Sequence, residues 1–139
     1  MLAGVLRLKE RIERMFLGRD LNKLDDKYRL TVPARYREQL AEGAYILQGF
    51  DRNLMVLTPP VFESMAYRVN DTSITDDESR LLRRVFFSSA EHVDLDKSGR
   101  VLIPDFLREH AGLQGEAWVV GVGTYFEIWS PGEWMQQNL

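Results

Sequence analysis

Apolar residues Val5, Leu8, Ile12 and Met15 recur at helical spacing among Arg7, Lys9, Glu10, Arg11 and Glu13, which predicts a short amphipathic helix at the start of the chain. From Met15 the pattern shortens to β-like runs divided by turn residues. LTV at 30–32, YILQGF at 45–50 and LMVL at 54–57 read as strands, with Asp51-Arg52-Asn53 as a tight hairpin connection. Between the first two runs, Pro33 suits a first helical position, Tyr36 and Leu40 stack one turn apart, and Gly43 supplies a stop. The segment 75–90 opens with a capping-box pattern, Thr75 with Glu78. Leu81, Leu82, Val85 and Phe86 then form one apolar face, so a longer helix is expected there. Beyond it the first half repeats: VLI at 101–103, a short helix from Pro104 to Gly112, WVVGV at 118–122 and FEIW at 126–129.

The repeat is sharpest in DDKYRLTVPARYRE, residues 25–38, and DKSGRVLIPDFLRE, residues 96–109. Five positions are identical, Asp25/Asp96, Arg29/Arg100, Pro33/Pro104, Arg37/Arg108 and Glu38/Glu109, where composition alone gives roughly one, so the chain reads as a tandem duplication. Each unit is too small to cover both faces of its own sheet. Pairing the copies predicts a β-rich mixed α/β fold, one closed pseudo-symmetric barrel with short helices at its rim. Within the motif, Asp25 and Asp96 suit turns because a carboxylate accepts local backbone N–H bonds. Gly99 offers the left-handed conformation of a hairpin bulge. Asp25 with Arg29, and Asp96 with Arg100, are then ion pairs that pin the turns, or arginines held rigid for a partner; both can hold, since an oriented guanidinium is a good ligand for phosphate or guanine.

Charge separates the two copies. The chain of 139 residues has a formal net charge of -3, so any basic surface must be local. Between Arg19 and Arg37 there are six basic residues (Arg19, Lys23, Lys27, Arg29, Arg35, Arg37) and three acidic ones, a net of +3; the equivalent span Ala90–Arg108 has three basic and four acidic residues, a net of -1. If the protein touches nucleic acid, the first motif carries most of the contact by neutralising phosphates, with Arg29, Lys27, Lys23, Arg19 and Arg35 as the candidates. The competing reading is a solvated basic face. No cysteine is present, which excludes disulfides, thiolate metal sites and a Cys nucleophile and fits a reducing cytoplasmic compartment. The apolar run AWVVGVG at 117–123 is far shorter than the roughly 20 residues that span a bilayer, and residues 1–14 do not read as a secretory signal. His92 and His110 lack ligand-like spacing, Asp76, Asp77 and Glu78 suit a first helical turn, and Ser88 and Ser89 lack a nucleophile elbow. Gly121-Val122-Gly123 lacks the third glycine and helix of a dinucleotide site, and Trp118, Trp129, Trp134, Tyr125 and Phe126 suit a core or a subunit contact. No catalytic residue, metal site or cofactor is expected.

MFLGRDLNKLDDKYRLTVPARYRE, the helix ending in FFSSA, and DKSGRVLIPDFLREHAGL together resemble the bacterial MraZ proteins, built from two tandem SpoVT-AbrB units. The resemblance runs from Met15 to about Met135. It implies a double-split, swapped-hairpin β-barrel, a ring-shaped homo-oligomer, and a sequence-specific DNA-binding transcriptional regulator associated with the nucleoid. It further implies repression of the division and cell-wall operon through repeated G-rich promoter boxes, with Arg29 and Arg100 in contact with DNA. On this reading residues 1–14 are an N-terminal extension, 15–69 the first unit with its following helix, 70–90 a linker and connecting helix, and 91–139 the second unit. The family pattern has glycine where this chain has Tyr28, which raises the question of the first turn's geometry. The alternative is an AbrB-like antitoxin, a protein-interaction module with DNA binding secondary.

Overall fold

Neither repeat completes a sheet alone, and in the computed structural model, which describes residues 1–139, the two are interleaved. Helix α1 (Leu2–Glu13) precedes β1 (Arg19–Lys23), β2 (Arg29–Thr31), α2 (Ala34–Arg37) with a 3-10 turn at Glu38–Leu40, β3 (Ala44–Gln48) and β4 (Leu54–Leu57). Helices α3 (Pro59–Asn70) and α4 (Asp77–Ser89) lead to the second unit: β5 (Glu91–Val93), β6 (Arg100–Leu102), α5 (Asp105–Ala111), β7 (Glu116–Gly121), β8 (Phe126–Trp129) and α6 (Pro131–Met135). Six strands form one antiparallel sheet in the order β1-β7-β8-β4-β3-β5. Exchanging the units, β1 for β5, β3 for β7 and β4 for β8, reverses that order onto itself. The sheet therefore has a pseudo-two-fold axis between β4 and β8, where Leu54 faces Ile128 and Val56 faces Phe126. Each unit lends its first strand to the other: β1 lies on β7, and β5 on β3.

The alternation of side chains explains the layers. Leu54 and Val56 of β4 enter the main core with Phe16, Leu30, Tyr36, Ile103, Leu107 and Phe126, while Met55 and Leu57 enter a second cluster with Leu47, Val69 and Phe86 beneath α3 and α4. Buried on both faces, β4 reads as an unbroken apolar run. Phe16, Tyr36 and Phe126 meet ring to ring with centroids 4.9–5.2 Å apart.

Several expectations are corrected. The strands do not close into one hydrogen-bonded barrel: β2 and β6 form a separate two-stranded ribbon, joined to β1 through a single bridge between Leu24 and Leu30. Beyond it the turn is held by its own carboxylate, Asp25 taking the backbone N–H groups of Lys27 and Arg29, as Asp96 takes those of Ser98 and Arg100 in the second unit. The cap of α4 is Asp76, whose carboxylate accepts from Ser79 N–H, while the Thr75 hydroxyl is engaged with Ser73. Phe86 is the buried residue of that helix's apolar face, and Leu81 turns to solvent at 59% exposure. The helix after Pro33 is one α-turn continued as 3-10, whereas α5 runs seven residues and ends at Gly112 with φ +64°, a left-handed cap that suits glycine. Trp129 is buried and meets Trp134 edge-on.

Candidate nucleic-acid interface

Both DxxxR turns are built alike. Asp25 Oδ1 accepts the backbone N–H groups of Lys27 (3.0 Å) and Arg29 (2.9 Å), and Asp96 Oδ1 accepts those of Ser98 (2.9 Å) and Arg100 (2.9 Å). The second carboxylate oxygen takes a guanidinium: Arg29 Nε donates to Asp25 at 2.8 Å, and Arg100 Nε to Asp96 at 2.9 Å. The backbone N–H of the motif arginine, together with the other bonds to the ionised form, holds each carboxyl below the usual carboxylate range. One bond breaks the symmetry. Arg100 Nη1 also reaches Asp25 Oδ2 at 3.4 Å, so Asp25 receives both motif arginines.

Pairing of β2 with β6 sets Leu30 opposite Val101, and both point into the core. Period-two geometry then sends Arg29, Thr31, Arg100 and Leu102 to the outer face of the ribbon. Arg29 lies across from Leu102, and Arg100 across from Thr31. The two arginine side chains keep 33% and 29% of their surface exposed; both are braced at Nε, and Arg100 is held at Nη1 as well.

The remaining predicted residues divide into two groups. Arg19, Lys23 and Lys27 are exposed; Lys23 lies opposite Glu116 in the β1–β7 register, and the Arg19 guanidinium is 5.9 Å from the Trp134 ring centre. Arg35 is also exposed, its side chain keeping 46% of its surface, but its guanidinium is engaged within the chain. Its Nε and Nη2 donate to Leu17 O at 3.3 and 3.0 Å, it pairs with Asp20, and it lies 4.6 Å over the Tyr36 ring. It braces the β1 entry while its outer surface remains open to solvent.

Tyr28 keeps the glycine-like turn. Its φ is +60°, against +77° at Gly99, a conformation that costs a non-glycine residue about 1–2 kcal/mol. Its ring lies under the Arg108 guanidinium, 3.7 Å from the ring centre, a contact of about 0.5–2 kcal/mol that offsets a comparable amount. Sequence reasoning missed this pair, as it missed Thr31 and Leu102. The alternation in RLT and RVL was a usable signal for the last two; the identity of Arg37 and Arg108 between repeats was visible without a role attached. No three His, Cys, Asp or Glu side chains converge as a metal site, and no helix is long and apolar enough to cross a membrane.

A family model described as "MraZ protein, putative antitoxin-like" matches residues 15–85 and again 86–138. The chain belongs to the MraZ family. Similar relatives include proteins named transcriptional regulator MraZ from Roseiflexus castenholzii, 47% identical over 120 residues, covering 86% of this chain and 84% of that protein. Those from Thermomicrobium roseum (44%, covering 88% and 87%) and Alkaliphilus oremlandii (38%, covering 89% and 87%) carry the same name. MraZ is a family of transcriptional regulators and not of enzymes. Its model starts at residue 15, so α1 lies outside the match, and the pseudo-two-fold of the sheet relates the two matched segments.

Proposed function

We propose that this MraZ chain regulates transcription by binding double-stranded DNA through the outer face of the β2–β6 ribbon. The observation that carries the reading is the pair of motif arginines on that face, both anchored to Asp25. A two-stranded ribbon fits the major groove, and an oriented arginine suits guanine O6 and N7. Exposed Arg19, Lys23 and Lys27 supply phosphate contacts. On this reading Arg29 is the principal DNA ligand and Arg100 the lesser one, because Arg100 is shared between two carboxylates in the acidic half. Residues 1–14 are an extension, 15–69 and 91–139 the two SpoVT-AbrB units, and 70–90 the linker and connecting helix.

The finer proposal is repression of the division and cell-wall operon at repeated G-rich boxes, by a ring-shaped homo-oligomer in the nucleoid of the cytoplasm. A subunit with net charge -3 gains affinity when several small basic patches share one repeated site, because each bound patch raises the effective concentration of the next. A gel shift with duplex from upstream of the protein's own coding sequence, at low and high salt, tests it. Expected are a shift that weakens steeply with salt and with each box removed. Arg29→Ala should weaken it by roughly 10- to 100-fold, and Arg100→Ala by less. Normal box binding by Arg29→Ala would refute the assignment.

The family description includes the words antitoxin-like, which favours a second reading, a module that neutralises a partner protein. Absence of any salt-sensitive shift, together with stable capture of a partner, would leave that reading in place of the first.

A further inference from the structure

The two units exchange one contact. Arg37, on the helix of the first unit, lies over Gly99 in the turn of the second, so closely that a Cβ built on Gly99 would collide with its Nε and Cζ. Arg108, the equivalent residue of the second unit, lies over Tyr28 in the turn of the first. The chemistry differs. Arg37 Nε donates to Val32 O at 2.9 Å in its own unit, whereas Arg108 Nε is buried without a hydrogen-bond partner, and Arg108 reaches Asp105 only through Nη2 at 3.3 Å. A ring face has replaced a hydrogen bond.

We propose that Tyr28 and Arg108 form a latch between the units that positions Arg29 for its DNA contact, Tyr28 being a positioning residue; this rests on the DNA-binding reading above. Tyr28 sits directly before Arg29. Its N–H donates to Asp25 O at 2.9 Å, and its own carbonyl accepts from Ile103 N–H at 2.9 Å. A ring clamped by Arg108 thus fixes the peptide that leads into Arg29, whose N–H and Nε both bind Asp25. The Tyr28 hydroxyl makes no contact that this role requires. Glycine at position 28 relieves the left-handed strain yet frees the turn, and it leaves Arg108 Nε room to turn to a carbonyl of its own unit, as Arg37 Nε does with Val32 O while lying over Gly99.

Two measurements on the full chain test the latch: hydrogen exchange of the Lys27 and Arg29 amides, and anisotropy titration with the upstream duplex and a random duplex of equal length. Tyr28→Gly and Arg108→Gln are each expected to speed exchange at these two amides while β7 and β8 stay protected. Each is also expected to weaken upstream-duplex binding by roughly three- to tenfold. The double variant is expected to lose no more than the worse single one, and Tyr28→Phe, which keeps the ring, to restore both readouts. Unchanged exchange in Tyr28→Gly, additive losses in the double variant, or failure of Tyr28→Phe to restore protection would each overturn the latch. Faster exchange with unchanged affinity would overturn its positioning role. If the wild-type chain binds neither duplex, the DNA reading falls and the positioning role falls with it, while the exchange data still decide whether the contact is a latch.

Discussion

The two DxxxR turns share a backbone, a carboxylate cage and a paired arginine, and they differ in what surrounds them. The first turn carries Tyr28 in a left-handed conformation, a carboxylate that receives two arginines, and exposed Lys23 and Lys27 nearby. The second carries glycine, a carboxylate that receives one, and acidic neighbours. Duplication supplied two equal scaffolds, and the differences concentrate charge on one. A pseudo-symmetric fold can therefore bind asymmetrically without changing a single strand pairing.

The largest effect should come from what the two halves share. Leu30 is fully buried against Val101 where the ribbon meets the core. Leu30→Ala is expected to cost about 2–5 kcal/mol, read as a lower urea midpoint, with both turns lost in one transition. Independent melting of the halves would break the picture of one interleaved core.

Next comes the turn residue itself. Gly99→Ala meets both a φ of +77° and the Arg37 side chain, and should lose about 1–3 kcal/mol; Tyr28→Gly should stay within about 1 kcal/mol, since relieved strain offsets the lost ring contact. Equal losses in thermal melts would mean that the turns are conformationally equivalent after all. Acid comes third. Asp25 and Asp96 titrate lower in the folded chain than in the unfolded one, chiefly through the backbone N–H of Arg29 and Arg100. Their stabilisation is therefore complete above the unfolded value of about 3.9 and disappears as pH falls through the folded values. Denaturation midpoints should drop below about pH 4, and Asp25→Asn should flatten that drop more than Asp96→Asn. The smallest effect is expected outside the comparison. Helix α1 buries none of its residues, and Gln39 Nε2 donates to its Glu13 O at 3.4 Å, so removing residues 1–14 should change stability by less than about 0.5 kcal/mol and leave duplex binding unaltered.

Local chemistry was legible in the residues. DxxxR with a following Pro announced each turn and helix start, and the apolar run of β4 announced a strand, because these depend on neighbours within a few positions. Partner choice between strands was not legible. Nothing in RDLNK says that β1 should lie on β7 instead of β3, and the swapped arrangement entered only through family resemblance. Leu81 was misplaced because helical spacing defines an apolar arc without saying how wide a strip α3 and the sheet cover. The Tyr28–Arg108 contact joins positions 80 apart in sequence, so no periodicity could reveal it.

The lending of first strands has a consequence in time. Strand β1, at 19–23, pairs only with β7, at 116–121, so a chain emerging from a ribosome carries an unpaired edge until its second half is made. At about 5–20 residues per second that wait lasts roughly 5–20 seconds, and distant pairings of this kind close slowly in any case. The first motif, the more basic of the two, is thus the first to be synthesised and among the last to be shaped. On the DNA-binding reading proposed above, a nascent half-chain would have the charges for nucleic acid without the geometry to choose a sequence.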